Sequence, residues 1–432
     1  MAEYDLTAQM IPFLDCHLAV PLMQFLTLKE IYSNEDLLKA KYELLSKTNM
    51  VDFTVSVYQE LNNTEEESEE LTKRREEVLA KLHALSEEVQ KVLEVIEDPE
   101  VIASLKQDKL HNQQILRERF NLTEDMIRLM YDFGKLQYEC ANYGGAVDML
   151  YHYRILSIDN ETNMSALWGK MASEILTGNW DGALQDLYSL RDAVEQRPYD
   201  TPVQQLEHRA WLIHWSLFVF FNHPRGRDGI IDTFFQPNFL NTIQNVCPWI
   251  VRYLAAAVVN NRRRKNYMKD LVRVIQQTSY MYQDPVTKFI TSLFVDYDFD
   301  AAQLMLKECE KLLENDFFLC GTLDEFLENA RYYITETYCR IHSRIDIASL
   351  AQRLNLEKDE GEKWLVNLIR DTRMDAKIDF AENAFVMNTT FPTVQQQMIE
   401  RTKNLVMRTQ ILSSKIEKRE VYLAKQNAPL EN

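Results

Sequence analysis

Glycine and proline are scarce in this chain, and their scarcity limits the classes of fold. Only 10 Gly and 11 Pro occur in 432 residues, so there are few of the turn signals that join short β-strands. Leu, Glu, Lys, Ala and Gln dominate instead, and these residues favour helices. The hydrophobic fraction of 46% can fill a large core, and single cores stop growing at about 250–300 residues. We therefore expect an all-α protein of two or more units.

Paired cysteines and long hydrophobic runs are also missing. The six cysteines show no CxxC pair and no regular spacing, which favours buried free thiols in a reducing compartment over disulfides or a zinc site. The opening MAEYDLTAQM lacks the basic and apolar regions of a secretory signal, and the longest apolar run, residues 211–221, is too short to span a bilayer. These absences predict a soluble, cytoplasmic protein, with a nuclear pool left open.

The motifs of common enzymes are absent too. The chain has no HExxH, no GxSxG and no GxxxxGK[ST]. The segment GRDG (226–229) has neither the lysine nor the glycine spacing of a phosphate-binding loop. Cys339 and His342 lie one helical turn apart, but two ligands without a second pair are more often helix packing than a metal site. We expect no catalytic site, no cofactor and no metal.

The charge balance argues against a general nucleic-acid-binding role. The net charge is -18, which opposes the coating of phosphate backbones. One concentrated basic patch nevertheless occurs. It could contact RNA or an acidic partner. The sequence slightly favours the other interpretation, in which the patch is the solvated end of a helix. We call it the basic patch: Arg262, Arg263, Arg264 and Lys265.

Helical patterns begin at the N-terminus. Residues 4–60 predict short amphipathic helices that stack as pairs, with breaks at Pro12, Pro21, residues 33–34 and residues 46–49. Residues 65–97 then predict a charged helix with an acidic start. Apolar residues recur along this helix at intervals of seven, as in a coiled-coil seam: Leu71, Val78, Leu85 and Val92, interleaved with Leu82, Val89 and Ile96.

A weak internal repeat follows. The segments NYGGA (142–146), NWDGA (179–183) and DFDAA (298–302) each place a polar residue before an aromatic, then a small residue and alanine, with leucine one turn later. The first two segments lie 37 residues apart, a spacing typical of tetratricopeptide-like helix pairs. Such repeats stack into a solenoid that offers an extended surface and not a pocket.

The C-terminal fifth changes pattern. Two short helices are predicted in succession, from the apolar residues Ile347, Leu350, Ala351 and Leu354 in residues 345–356 and from Trp364, Leu365, Leu368 and Ile369. Ala376, Ile378 and Phe380 and then Phe385, Val386 and Met387 flank a turn, which predicts a two-stranded hairpin. Helix, helix and hairpin make a winged helix.

This winged helix is better suited to protein than to DNA. A DNA-reading second helix should be basic, yet residues 357–373 hold five acidic residues against four basic ones. The wing can instead add its exposed edge to a strand of a neighbour. The residues expected at this edge are Lys377, Ile378, Asp379, Phe380, Phe385, Val386 and Met387.

A final helix offers a second contact surface. Met398, Leu405 and Leu412 fall seven residues apart, with Ile399 and Val406 beside them. This stripe suits packing against partner helices. Packing back on its own domain is an equally good interpretation of the pattern.

A helical-repeat arm that ends in a winged helix resembles the PCI-domain family of scaffold subunits in the proteasome lid, the signalosome and initiation factor 3. Several runs over residues 1–60 and 118–400 are similar to the initiation factor 3 members, and they are far more specific than a short motif. These runs are NMVDFTVSVY (49–58), LQYECANYGGA (136–146), LWGKMASEIL (167–176), IHWSLFVFFNHP (213–224), KDLVRVIQQ (269–277), NDFFL (315–319) and WLVNLIRDTRMDAKID (364–379).

The resemblance implies a right-handed solenoid, a PCI module and a non-catalytic role in translation initiation. It implies as partners other initiation factor 3 subunits, above all a second PCI subunit at the winged helix, with the small ribosomal subunit and mRNA reached indirectly or weakly. A proteasome-lid or signalosome scaffold and a winged-helix nucleic-acid regulator are the alternatives. The expected regions are helical pairs (1–60), a charged helix and linker (61–125), repeats (126–215), the PCI domain (helical part 216–340, winged helix 341–392), and a C-terminal helix and tail (393–432).

Overall fold

Helices make up most of the chain, as the composition predicts. A computed structural model describes residues 2–63, 68–96, 117–118, 122–199, 201–342, 344–346, 370, 376–379, 384–387 and 393–426. The first nine α-helices are α1 (Thr7–Met10), α2 (Cys16–Leu28), α3 (Asn34–Ser46), α4 (Val51–Asn62), α5 (Glu69–Ile96), α6 (Glu124–Glu139), α7 (Tyr143–Leu156), α8 (Asn160–Thr177) and α9 (Trp180–Gln196).

Most of the helices that follow one another along the chain before residue 315 pack side by side. The later helices are α10 (Pro202–Asn222), α11 (Gly226–Phe234), α12 (Pro237–Asn245), α13 (Val251–Asn260), α14 (Asn266–Thr278), α15 (Pro285–Thr291), α16 (Phe299–Glu314), α17 (Leu323–Ile341) and α18 (Val394–Gln426). The chain divides into two compact units, Met1–Ile334 and Thr335–Asn432. The predicted all-α class is confirmed.

The N-terminal helices form pairs, but one predicted break is wrong. The Ser33 side chain accepts a hydrogen bond from the Asp36 N–H and so begins α3. Pro21, however, lies inside α2. A proline in a helix removes one backbone hydrogen bond. Here the helix continues because it buries an apolar face that extends across the proline, formed by Leu18, Leu22 and Leu26.

The seam of α5 is used within the chain. Near its start, Leu71 packs with Val51 and Val55 of α4. Further along, Val89 and Val92 are each 1% exposed and join a core with residues of α6 and α7. The interval of seven therefore predicts the buried face of α5. This face packs against neighbouring helices of the same chain.

The repeat segments all begin helices, as their pattern predicts. The Asn142 side chain accepts from the Gly145 N–H at the start of α7, and the Asn179 side chain accepts from the Gly182 N–H at the start of α9. Asp298 accepts from two backbone N–H groups at the start of α16. The alanines of the pattern are fully buried, so they permit close helix approach: Ala146, Ala183 and Ala302.

The N-terminal segment packs against helices that are distant in sequence. Trp215 Nε1 donates to the carbonyl of Phe13, 202 residues away along the chain, at 3.1 Å. The Phe13 ring stacks on His214 with 4.6 Å between centroids. Arg252 of α13 donates to the carbonyl of Tyr4 at 2.8 Å. These contacts make residues 4–13 an internal strap across α10 and α13.

Replacing Trp215 with phenylalanine should release this strap in part. A smaller aromatic ring remains, but the indole N–H and its hydrogen bond to the Phe13 carbonyl are lost, so we expect a loss of ~1 kcal/mol in unfolding free energy. The midpoint of urea unfolding and the rate of proteolysis within residues 4–14 measure the effect. Trp211→Phe is the control because Trp211 is 40% exposed on the same helix, and equal effects of the two variants would contradict the role of the strap.

The predicted boundary at residues 215–216 falls within α10. The apolar run that ends near Phe221 is one continuous, largely buried stretch of this helix. The buried members of this stretch are Leu212, Ile213, Trp215, Leu217, Phe218, Val219 and Phe220. The repeats and the helical arm that follows are therefore joined through a helix and not through a linker.

The cysteines lie in the described part of the chain, and all six are free. Cys247, Cys309 and Cys339 are buried, as expected, and burial raises the pKa of Cys339 to about 12. Cys320 is exposed, contrary to the expectation of buried thiols. It lies in a short 3₁₀ turn between α16 and α17, where the chain runs at the surface.

The predicted hairpin is confirmed and has an additional strand. β2 (Ala376–Asp379) pairs antiparallel with β3 (Ala384–Met387), with Ile378 opposite Phe385. β1 (Arg344–Asp346) pairs with the other side of β3, with Ile345 opposite Phe385. The assignment of Ile345 and Asp346 to a helix is therefore wrong. Ile345 is buried between exposed neighbours, which is the alternation of a strand.

This sheet also corrects the predicted wing edge. The strand order is β1-β3-β2, so β3 is central. Phe385, Val386 and Met387 therefore do not form an edge, because strand pairing uses the backbone on both sides of β3. Lys377, Ile378 and Asp379 lie on β2, which is an edge of the described sheet. Phe380 and the two predicted helices over residues 347–369 lie outside the described residues.

Candidate partner-binding surfaces

The C-terminal helix α18 exposes its apolar stripe. From residue 393 to residue 420 every side chain is exposed. Met398 is 58% exposed, Leu405 61% and Leu412 60%. Packing back on the rest of the chain would have buried these side chains. The structure therefore leaves the predicted stripe available to a partner.

The stripe is wider than the seam of a two-helix coiled coil. Thr402, Thr409 and Ile416 lie four residues after Met398, Leu405 and Leu412, on one side of the stripe. Ile399 and Val406 extend the apolar surface on this same side. Both of these are about half exposed, at 55% and 51%. A face of this width is typical of a helix that packs in a bundle. At ~1.5 Å per residue, a helix of 33 residues is about 50 Å long.

The wing offers a shorter surface. β2 contributes four residues, with Lys377 opposite Val386 and Asp379 opposite Ala384 on its inner side. Its outer side has no strand among the described residues. An edge strand of this kind can accept a strand from another protein.

The basic patch is largely engaged inside its own unit. The Arg264 guanidinium pairs with Asp232 and lies 3.4 Å from Asp228, and hydrogen bonding to Asp232 raises its pKa. Lys265 Nζ lies 3.2 Å from the Tyr332 hydroxyl. Arg262 covers the same tyrosine ring at 5.0 Å. Arg263 is exposed. These contacts favour the structural interpretation of the patch, and a contact with RNA stays a prediction.

His214 and His342 have packing roles. His214 Nδ1 lies 2.7 Å from the Ala210 carbonyl, and its Nε2 accepts from Trp249 Nε1 at 3.1 Å. Burial lowers the pKa of His214 to about 4, so the ring is neutral at pH 7. His342 packs on Tyr338. Within the described residues no group of three or more His, Cys, Asp and Glu side chains could hold a metal ion.

The molecule has little room for a small ligand at the internal strap. A cavity of about 30 Å³ lies beside Tyr4, Arg252 and Phe318, and this volume suits one or two water molecules. None of the helices in the described part of the chain is long and apolar enough to cross a membrane.

Comparison with known proteins decides the family. The chain is 48% identical over 424 residues to the E subunit of eukaryotic translation initiation factor 3 from Aspergillus fumigatus, covering 96% of this chain and 94% of that protein. It is 48% identical over 418 residues to the corresponding protein of Emericella nidulans, with coverage of 95% and 93%. The chain belongs to the E-subunit family of initiation factor 3.

Family models match three parts of the chain. The eIF3 subunit 6 N terminal domain matches residues 5–137, the PCI domain matches residues 306–389, and the C-terminal model of the initiation factor 3 E subunit matches residues 393–413. The match to the family therefore extends through residues 61–117 and into the C-terminal helix. It decides for the initiation factor over the proteasome lid and the signalosome.

The C-terminal helix holds functional candidates that the sequence analysis missed, two of them within the segment that matches the C-terminal model. Arg401, Arg408 and Lys415 also recur every seven residues, each three residues after a member of the apolar stripe. All three are exposed. The sequence signal for these residues is their own interval of seven. A search for apolar periodicity alone does not find it.

Proposed function

We propose that this chain is a non-catalytic scaffold subunit of eukaryotic translation initiation factor 3. The complex binds the small ribosomal subunit and promotes recruitment of mRNA and initiator methionyl-tRNA. This chain acts there by binding other subunits, with α18 and the edge strand β2 as its contact surfaces. We expect it in the cytoplasm, where translation occurs, and leave a nuclear pool open.

The observation that carries this proposal is the exposed apolar stripe of α18. Met398, Leu405 and Leu412 present three large side chains to solvent along a helix of 33 residues. Burying a leucine side chain stabilises a complex by about 1.5–3 kcal/mol. Exposed apolar surfaces of this kind mark interaction sites. The lack of catalytic motifs and the family membership support the same role.

Replacing Leu405 and Leu412 together with glutamine should prevent assembly. Two leucine contacts of the stripe are lost, so we expect affinity for initiation factor 3 assembled without this chain to fall by at least about a hundredfold. Binding of the purified full chain to that complex is the measurement. The thermal midpoint of the free chain should hardly change because both positions are exposed.

Met407→Gln with Ile411→Gln is the matched control. These side chains are 64% and 52% exposed on the opposite side of α18, so the same amount of apolar surface is removed outside the stripe. Assembly should persist in this variant. Normal assembly of the Leu405 and Leu412 variant would contradict the proposed role of α18.

A further inference from the structure

The charges of α18 are distributed differently from those of the whole chain. The chain has a net charge of -18, but this helix is basic. Its acidic residues are only Glu400, Glu417 and Glu420, and its basic residues are Arg401, Lys403, Arg408, Lys415, Lys418, Arg419 and Lys425.

Three of the basic residues form a row along one border of the apolar stripe. Arg401, Arg408 and Lys415 each lie three residues after a stripe residue, and Arg401 and Arg408 lie four residues before the next one. Residues three and four apart are neighbours on a helix surface. Across the stripe, the other border carries Ile399, Val406 and Ser413, so the two borders differ in charge.

The basic row is free to meet a partner. Its three side chains are exposed, and in the described part of the chain they form no ion pair or hydrogen bond. In heptad terms the apolar stripe occupies d and the row occupies g, the position whose charges select the partner and its orientation in helix packing. We call Arg401, Arg408 and Lys415 the basic row.

We infer that the helix docking on this stripe carries acidic side chains at intervals of seven residues, facing the basic row. This inference rests on the proposed function and adds the chemistry of the partner. A second copy of this chain does not supply such residues. An antiparallel copy would place the basic rows against each other, and a parallel copy would face Arg401 with Val406 and Arg408 with Ser413, neither of which is acidic.

A paired charge reversal tests the inference. Arg401→Glu with Arg408→Glu turns two attractions into repulsions, so we expect the affinity of the full chain for initiation factor 3 assembled without it to fall about tenfold. The control, Lys403→Glu with Lys418→Glu, makes the same change in net charge outside the basic row, at positions that point away from the apolar stripe, and should alter affinity less than about twofold. Raising the KCl concentration should weaken the wild-type complex more than the reversed one.

Cross-linking and a compensating change complete the test. Cross-links from the Lys415 side chain should reach a partner helix with acidic residues every seven positions. Reversing two of these acids to lysine should restore binding of the Arg401 and Arg408 variant. If the charge reversal in the basic row and the control reversal lowered affinity equally, binding would respond to net charge alone, and the inference would be overturned. So would cross-links to a helix without the acidic pattern, or a loss of binding on nuclease treatment, which would indicate RNA.

The inference and the proposed function fail separately. If the Leu405 and Leu412 variant loses assembly while the charge reversal has no effect, α18 docks through its apolar stripe and the acidic partner is wrong. If neither variant loses assembly, α18 is not the contact surface and both are wrong.

Discussion

Replacing Arg252 with alanine is expected to destabilise the protein by about 3–5 kcal/mol, the cost of removing one partner from a buried ion cluster. Arg252 is 2% exposed within α13. Its Nε donates to Asp284 at 2.9 Å, its Nη1 donates to Asp316 at 3.1 Å, and its Nη2 donates to the Tyr4 carbonyl. The substitution leaves two buried carboxylates without their shared cation.

The Arg252 cluster connects four parts of the chain. Asp284 also caps α15 by accepting from the Thr287 N–H at 2.7 Å. Asp316 accepts from the Phe318 N–H at 3.0 Å and orders the loop before α17. Loss of the guanidinium should therefore loosen the internal strap, α13, α15 and this loop together. Hydrogen exchange at the Phe318 amide and at the amides of α13 would report the loosening.

The loss of unfolding free energy caused by Arg252→Ala should depend on pH. Burial raises the pKa of Asp316 above its ordinary value, while Arg252 acts to lower it. Without Arg252 that pKa rises further, so between pH 3.8 and the raised pKa the folded variant binds more protons than its unfolded chain. Stability then falls as pH rises through the folded pKa. The difference between variant and wild type should be smaller at pH 5 than at pH 7.

Two variants control this experiment. Arg252→Lys keeps the charge but loses the planar fork, so we expect a smaller loss than with alanine. Arg273→Ala removes an exposed arginine paired with Asp270 at 3.3 Å and should change stability by less than about 0.5 kcal/mol. If Arg252→Ala moved the urea midpoint no more than Arg273→Ala does, the cluster would have no stabilising role.

Gly226→Ala should cost about 3 kcal/mol, near the upper end of overpacking penalties. Gly226 begins α11, directly against the end of α10. An alanine Cβ there would lie 2.1 Å from the carbonyl oxygen of Phe220 and 2.6 Å from its Cα. These are backbone atoms, so a side-chain rotation cannot relieve the overlap. The start of α11 therefore has to move away from the end of α10.

The matched control is Gly144→Ala. Gly144 also lies in the first turn of a helix, and a Cβ at this position meets nothing within 4 Å. Alanine there should be neutral or stabilise α7 by up to ~1 kcal/mol. The urea midpoints of the two variants measure the difference, and equal midpoints would mean that the α10–α11 joint tolerates a side chain.

The sequence predicts features that depend on near neighbours. Asn142, Asn179 and Asp298 are recognisable as helix starts because a cap and the N–H groups that it binds lie within three residues. The hairpin of β2 and β3 is equally local. The apolar stripe of α18 is predicted because spacing along one helix fixes which side chains share a face.

Features that depend on distant contacts were not predicted. β1 has three residues, too few for a sequence signal, and exists because it pairs with β3. Its presence makes β3 central and changes which strand forms an edge. The use of the α5 seam by α4 and α6 also depends on packing, since spacing reveals an apolar face but not what covers it.

The sequence by itself determined the helical class, the caps of the repeats, the hairpin and the apolar stripe, because each is written in residues a few positions apart. Only the tertiary structure decided that Arg252 binds Asp284, Asp316 and the Tyr4 carbonyl, that Trp215 holds the N-terminal strap, and that the stripe of α18 stays exposed. A buried ion cluster or an uncovered face is defined by chain segments that meet only after folding, and no local spacing specifies which segments meet.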